Sequence, residues 1–342
     1  MPPKSSAPTR KRNKDAEIQD GVRLQFSHAF GVHGPIRDNC FFIKAENNSG
    51  DEKEALLFPI GQKLCLYWAE DNEMSFFAGT MPNVCAMLGM ATSPNSKFVA
   101  VCEQCNPSPN KGAQCTVYLI KNRKKLKNVV TPPQKEDFVN CCFSGDSKLL
   151  VTVSNGPYRN MIVWDWASAT KPMKHQIALG QVFVTRVSSP LNNPPGVLQL
   201  VTSGPCHLRV WNISGDNPIK SQIIYKEHEN FVDHCWLALD GGIQRMAAVT
   251  EGALAPNSNQ RFGSVLLCQS IDEDKFIDYR RTMTVVLQGN TQIKTIAKSS
   301  RGFIVGGTNG FFSVYEKTDD RKDPYMHIKY FYCGRESFQS IR

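Results

Sequence analysis

The sequence predicts an all-β chain. It reads as a β-propeller of six recognisable blades, either complete in six or lacking part of a seventh, behind a disordered basic N-terminal arm. Three observations predict this. From Gly21 onward the chain breaks into apolar runs of four to eight residues, rich in Val, Ile, Phe, Leu and Tyr and separated by Gly, Pro, Asn, Asp and Ser. That texture is strand chemistry, and no stretch carries a long 3.6-residue period. The runs also recur at a fixed interval, and a second phrase recurs in step with them. Two phase-locked repeats of 40–50 residues mark stacked supersecondary units.

Residues 1–20 form the arm. Met1 to Lys14 is rich in Pro, Ser and basic residues, with no apolar segment of the kind a secretory signal needs. It offers too little apolar surface to offset ordering entropy. The net charge of +9 is concentrated here and at one other place. Lys4, Arg10, Lys11, Arg12 and Lys14 occur with no acid among them, as do Lys121, Arg123, Lys124, Lys125 and Lys127. These ten cations outweigh the whole net charge, so the body of the chain is near neutral.

Residues 21–320 form the propeller. Six short segments end on a large or apolar landmark: Tyr67, Tyr118, Trp164, Trp211, Cys268 and Tyr315. Successive landmarks are 51, 46, 47, 57 and 47 residues apart. The long interval holds the polar insertion Glu251 to Asn259, read as an extended loop. Upstream lies the second phrase, a Ser, a turn, a Lys and an apolar run. It occurs as Ser93-Pro94-Asn95-Ser96-Lys97-Phe98 and as Ser144-Gly145-Asp146-Ser147-Lys148-Leu149. Weaker copies start at Ser189 and Leu239. A unit of four short antiparallel strands about 45 residues long is a propeller blade, and a ring of them buries faces that one blade cannot. Residues 321–342 are expected to begin a further blade or to form a truncated tail, with Tyr325 to Tyr332 as its opening strand.

The phrase of serine, turn, lysine and apolar run, followed by a strand ending Trp164-Asp165, resembles the WD40 repeat. The copies are degenerate, since the WD dipeptide survives once and the usual Gly-His pair is absent. His28-Ala29-Phe30-Gly31-Val32, Asn39-Cys40-Phe41-Phe42, Leu56 to Gly61, Met87 to Asn95, Val99 to Glu103, Gly302 to Gly307 and Val314 to Lys317 together resemble the cilia- and flagella-associated protein 57 family, also called WD-repeat protein 65. The resemblance spans roughly residues 26–320. It implies a non-enzymatic scaffold of the ciliary or flagellar axoneme that holds inner dynein arm components on doublet microtubules, with tubulin and dynein arm components as partners. It also implies tandem propellers followed by a coiled coil. The sequence ends at Arg342 without heptads, so a partial chain or a short form is expected.

Candidate chemistry is sparse. Cys102-Glu103-Gln104-Cys105, with Cys115 nearby, is a single CxxC without the second pair that structural zinc uses, so no metal or cofactor is expected. His207 beside Cys206, and His234 before Cys235, lack the orienting group of a nucleophile pair. Gly306-Gly307-Thr308-Asn309-Gly310 lacks the lysine of a phosphate loop and reads as a hairpin turn. No apolar run approaches the ~18 residues of a membrane span, and neither a membrane nor a small-molecule substrate is expected. The twelve cysteines, with no signal peptide, point to free thiols in a reducing compartment. The residues expected to bind a partner are Lys121, Arg123, Lys124, Lys125 and Lys127. They follow a strand onto a hairpin or inter-blade connection, at the propeller rim or face, where acidic tubulin tails would be attracted. RNA would be attracted too, but the aromatics for base stacking are missing. The competing readings are a WD-type adaptor in ubiquitin transfer or RNA-associated complexes, and a propeller hydrolase.

Overall fold

The computed structural model describes residues 36, 38–78, 84–105, 112–133, 136–157, 159–168, 172–215, 217–224, 229–239, 242–254, 261–272, 275–320 and 324–333. The expected arm of residues 1–20 lies outside them, as does the phrase at residues 28–32. Every regular element among the described residues is a strand, and the strands form six antiparallel sheets arranged as the blades of a propeller.

Blade 1 contains β1 (Phe41–Glu46), β2 (Glu52–Ile60), β3 (Lys63–Trp68) and β4 (Glu73–Phe76). Blade 2 contains β5 (Val84–Thr92), β6 (Phe98–Cys105), β7 (Gln114–Leu119) and β8 (Lys124–Val130). Blade 3 contains β9 (Phe138–Phe143), β10 (Leu150–Ser154), β11 (Arg159–Trp164) and β12 (Met173–Gly180). Blade 4 contains β13 (Arg186–Ser188), β14 (Leu198–Gly204), β15 (His207–Ile213) and β16 (Lys220–Ile223). Blade 5 contains β17 (Phe231–Trp236), β18 (Arg245–Thr250), the short β19 (Ala253–Leu254), β20 (Arg261–Asp272) and β21 (Lys275–Leu287). Blade 6 contains β22 (Ile293–Lys298), β23 (Gly302–Gly307), β24 (Phe311–Lys317) and β25 (Tyr325–Tyr332). In each blade the strands pair in chain order except around β19, which adds to the edge of β20.

All six landmark residues fall on the third long strand of a blade: Tyr67 on β3, Tyr118 on β7, Trp164 on β11, Trp211 on β15, Cys268 on β20 and Tyr315 on β24. The repeated phrase is one turn built twice. Ser93 Oγ donates to Asn95 Oδ1 at 2.7 Å, and Ser144 Oγ donates to Asp146 Oδ1 at 2.6 Å. Phe98 N and Leu149 N each donate to that serine oxygen at 2.9 Å. Ser96 and Ser147 both take positive φ, 56° and 63°. The sequence repeat is therefore a repeated hydrogen-bond pattern that reverses the chain into β6 and β10.

Two expectations are corrected. Tyr325–Tyr332 does not open a further blade but pairs with β24 as the fourth strand of blade 6. Thr318 N donates to Pro324 O at 2.9 Å, which returns the chain as a hairpin, and Tyr325 is buried in the blade 5–6 core. The insertion after Glu251 is not loop throughout, because Ala253–Leu254 pairs with Phe262 and Arg261.

Five apolar clusters lie between successive blades. They join blades 1 and 2, 2 and 3, 3 and 4, 4 and 5, and 5 and 6. Alternating strand residues face opposite neighbours, so adjacent Cys141 and Cys142 belong to different seams. Burial between blades carries the fold.

Candidate partner-binding surface

The basic segment starts where β7 turns into β8. Arg123 takes φ +57°, and its N–H closes the turn on Ile120 O at 3.3 Å. Its side chain points back into the molecule. The guanidinium lies 5.3 Å from the Trp68 ring centre, and Nη2 donates to Glu46 O at 2.8 Å. Ala78 N donates to Arg123 O at 3.0 Å. Arg123 thus ties blade 2 to blade 1, with cation–π and hydrogen-bond contacts together. Lys121 Nζ stands 2.7 Å from Glu46 Oε1, and this exposed pair raises the Lys121 pKa through its hydrogen bond and charge.

Lys124, Lys125 and Lys127 lie on β8, the outermost strand of blade 2. Lys124 is exposed, Lys125 and Lys127 are half-buried, and Leu126 between them is 50% exposed. A shift in register at Val117/Tyr118 places Lys125 opposite Tyr118 and Lys127 opposite Val117. The lysines therefore fan to both sides of the rim and do not form one flat patch. Lysines on an open edge also bar pairing with a foreign strand.

Two features were not picked out as sites from the sequence. At the ring centre, Asp233 Oδ1 accepts from Arg186 Nη1 at 2.6 Å, and its Oδ2 accepts from Thr295 Oγ1 at 2.7 Å and Ile296 N at 3.0 Å. Asp38 Oδ1 stands 3.5 Å from the same arginine nitrogen. The two carboxylates hold the Arg186 pKa above its ordinary value against the opposing effect of burial. This network joins blades 4, 5 and 6 to the segment that leads into blade 1. The second feature is a groove of about 870 Å³ between blades 3 and 4, with Leu149, Val163, Leu198 and Ile213 among its walls. Its rim loop carries Leu191, Pro194 and Pro195. That loop sits so close to Gly145 that an added Cβ would lie 2.1 Å from Leu191 O. The consecutive prolines in an overlong turn were its sequence signal.

The histidines hold the structure. His234 is fully buried, with Nε2 2.7 Å from Ser188 Oγ and Nδ1 2.8 Å from Ser203 Oγ. His207 Nε2 lies 2.7 Å from Thr202 Oγ1. In the CxxC, residues three apart on a strand face opposite ways, so Cys102 and Cys105 diverge. The structure instead brings Cys102 and Cys115 together with Cys141 of the next blade.

No family model matches the chain. Cilia- and flagella-associated protein 57 of Mus musculus is 21% identical over 333 residues, which covers 88% of this chain and 25% of that protein. The chain thus spans about a quarter of that relative's length. Among solved structures, a chain in the crystal structure of the mitotic checkpoint complex superposes with a TM-score of 0.58 at 11% identity, covering 99% of this chain and 90% of that one. Six blades with this repeat, and that match along most of the chain, make it a WD40-type propeller protein resembling cilia- and flagella-associated protein 57.

Proposed function

We propose that this chain is a non-enzymatic WD-repeat scaffold of the ciliary or flagellar axoneme, holding inner dynein arm components on doublet microtubules. The observation that carries the reading is the match to cilia- and flagella-associated protein 57 along 88% of the chain. The propeller supports it physically. Packed seams between successive blades keep the rim and loop surfaces at fixed relative positions, which suits simultaneous docking of several proteins. The structural neighbour from the mitotic checkpoint complex also belongs to a multiprotein assembly. The buried histidines, each bonded to hydroxyls, support a structural role over a chemical one.

The contact surface we assign to tubulin is the β8 rim, with Lys124, Lys125 and Lys127 as its main cations and Lys121 beside them. Arg123 belongs to the proposed surface as the residue that fixes the turn. Acidic partners would be drawn by charge and released by salt. Cosedimentation with microtubules across a salt series tests this. Replacing Lys121, Lys124, Lys125 and Lys127 by Gln should cut binding at low salt at least tenfold and flatten its salt dependence. Equal binding by the neutralised and native chains would remove the assignment.

A further inference from the structure

Three cysteines meet at the seam between blades 2 and 3. Cys102 on β6 lies directly opposite Cys115 on β7, and Cys141 reaches them from β9. The Cys102 and Cys115 sulfurs are 4.0 Å apart, and all three lie within 4.8 Å of one another. All three side chains are buried, among Ala100, Ala113, Val117 and Phe138. Other buried cysteines, such as Cys65 and Cys268, belong to no such group among the described residues.

We propose that Cys102, Cys115 and Cys141 form a binding site for a soft monovalent ion, copper(I), held by sulfur alone. The geometry supports three-coordination. With a metal–sulfur distance of about 2.3 Å, three sulfurs in a plane around an ion stand about 4.0 Å apart. The Cys102–Cys115 separation already has that value, and the third sulfur needs only a small side-chain rotation to match it. The donor set selects the ion. An all-sulfur site favours soft metals, and structural zinc requires a fourth ligand that the described residues do not provide here.

Binding is an exchange of protons for metal. One copper(I) enters and two thiol protons leave to solvent. Two sulfurs then bind as thiolates and the third as a neutral thiol, giving a site with one negative charge. Because two protons leave for each copper(I) bound, affinity should rise with pH.

The test uses the full chain, kept anaerobic, with accessible thiols first alkylated under native conditions. Copper(I) is then supplied from a competing chelator at pH 7 and pH 8.5. The folded chain should retain about one copper after desalting, more firmly at the higher pH, and X-ray absorption should show three sulfurs at about 2.3 Å and no lighter ligands. Cys102→Ser with Cys115→Ser should retain at least tenfold less, while Cys268→Ser, an equally buried cysteine in blade 5, should retain as much as the native chain. If the double variant does not fold, Cys141→Ser in a folded chain should reduce the sulfur count from three to two. Absence of retained copper at both pH values, retention unchanged in the double variant, three sulfurs persisting in Cys141→Ser, or equal loss in Cys268→Ser would each overturn the proposal.

Discussion

Thr202 sits between an indole and an imidazole. Trp211 Nε1 donates to its hydroxyl oxygen at 2.8 Å, and His207 Nε2 lies 2.7 Å from the same oxygen. Burial first, and the charge of Arg209 second, lower the His207 pKa to about 4. The unfolded chain takes up this proton below about 6.5, while the folded chain refuses it down to about 4. The stabilisation is thus complete above pH 6.5 and is lost on acidification, at up to about 1.4 kcal/mol per pH unit. Urea unfolding at pH 7, 5.5 and 4.5 should show native stability falling faster than that of His207→Asn, and parallel curves would contradict this. Blade 3 carries the same indole bond, Trp164 Nε1 to Thr152 Oγ1 at 2.8 Å, without a histidine. Thr152→Val should cost about 1–3 kcal/mol by orphaning a buried donor, read as a lower urea midpoint. The Trp landmarks were legible in the sequence. Their threonine partners were not, because pairs twelve and nine residues apart become contacts only once the strand register is known.

At the scale of the element, what could be read was what repeats. The third strands were located because an apolar landmark recurs on each of them at a near-constant interval, and the two serine turns because one hydrogen-bond pattern demands one residue order. Outer strands carry no such signal. β16, Lys-Ser-Gln-Ile, is exposed along its length, and β25 mixes exposed Met326, Ile328 and Tyr330 with aromatics. Solvent imposes no strict alternation on an edge, so Tyr325–Tyr332 could not be assigned to a blade from its own residues. The CxxC misdirected for a related reason, since its spacing suits a knuckle but its residues lie on a strand. Gly145 gives a direct test of how closely neighbouring elements fit. Its backbone faces Leu191 O and Pro190 O, so Gly145→Ala should destabilise by about 1–3 kcal/mol through overpacking. A melting temperature equal to the native one would show that the blade 4 loop yields freely.

For the whole molecule, charge placement decides which cations brace the ring and which remain available to partners. The five basic residues at 121–127 looked equivalent in the sequence, but Arg123 braces blade 1 while the lysines of β8 face the rim. Arg123→Gln should lower the melting temperature, whereas Lys124→Gln with Lys127→Gln should leave it unchanged within error. At the centre, Asp233→Ala would leave Arg186 without its closest buried counter-charge and should cost about 3–5 kcal/mol in denaturant unfolding. Neither brace was legible beforehand, because each joins residues brought together only when the ring is assembled. The proposed seat of the propeller on axonemal doublets can be checked by fractionating cilia that carry the tagged chain. The chain should stay with the doublets after detergent removes membrane and matrix, and leave them as salt is raised. Recovery entirely in the detergent-soluble fraction, or in the nucleus, would contradict it.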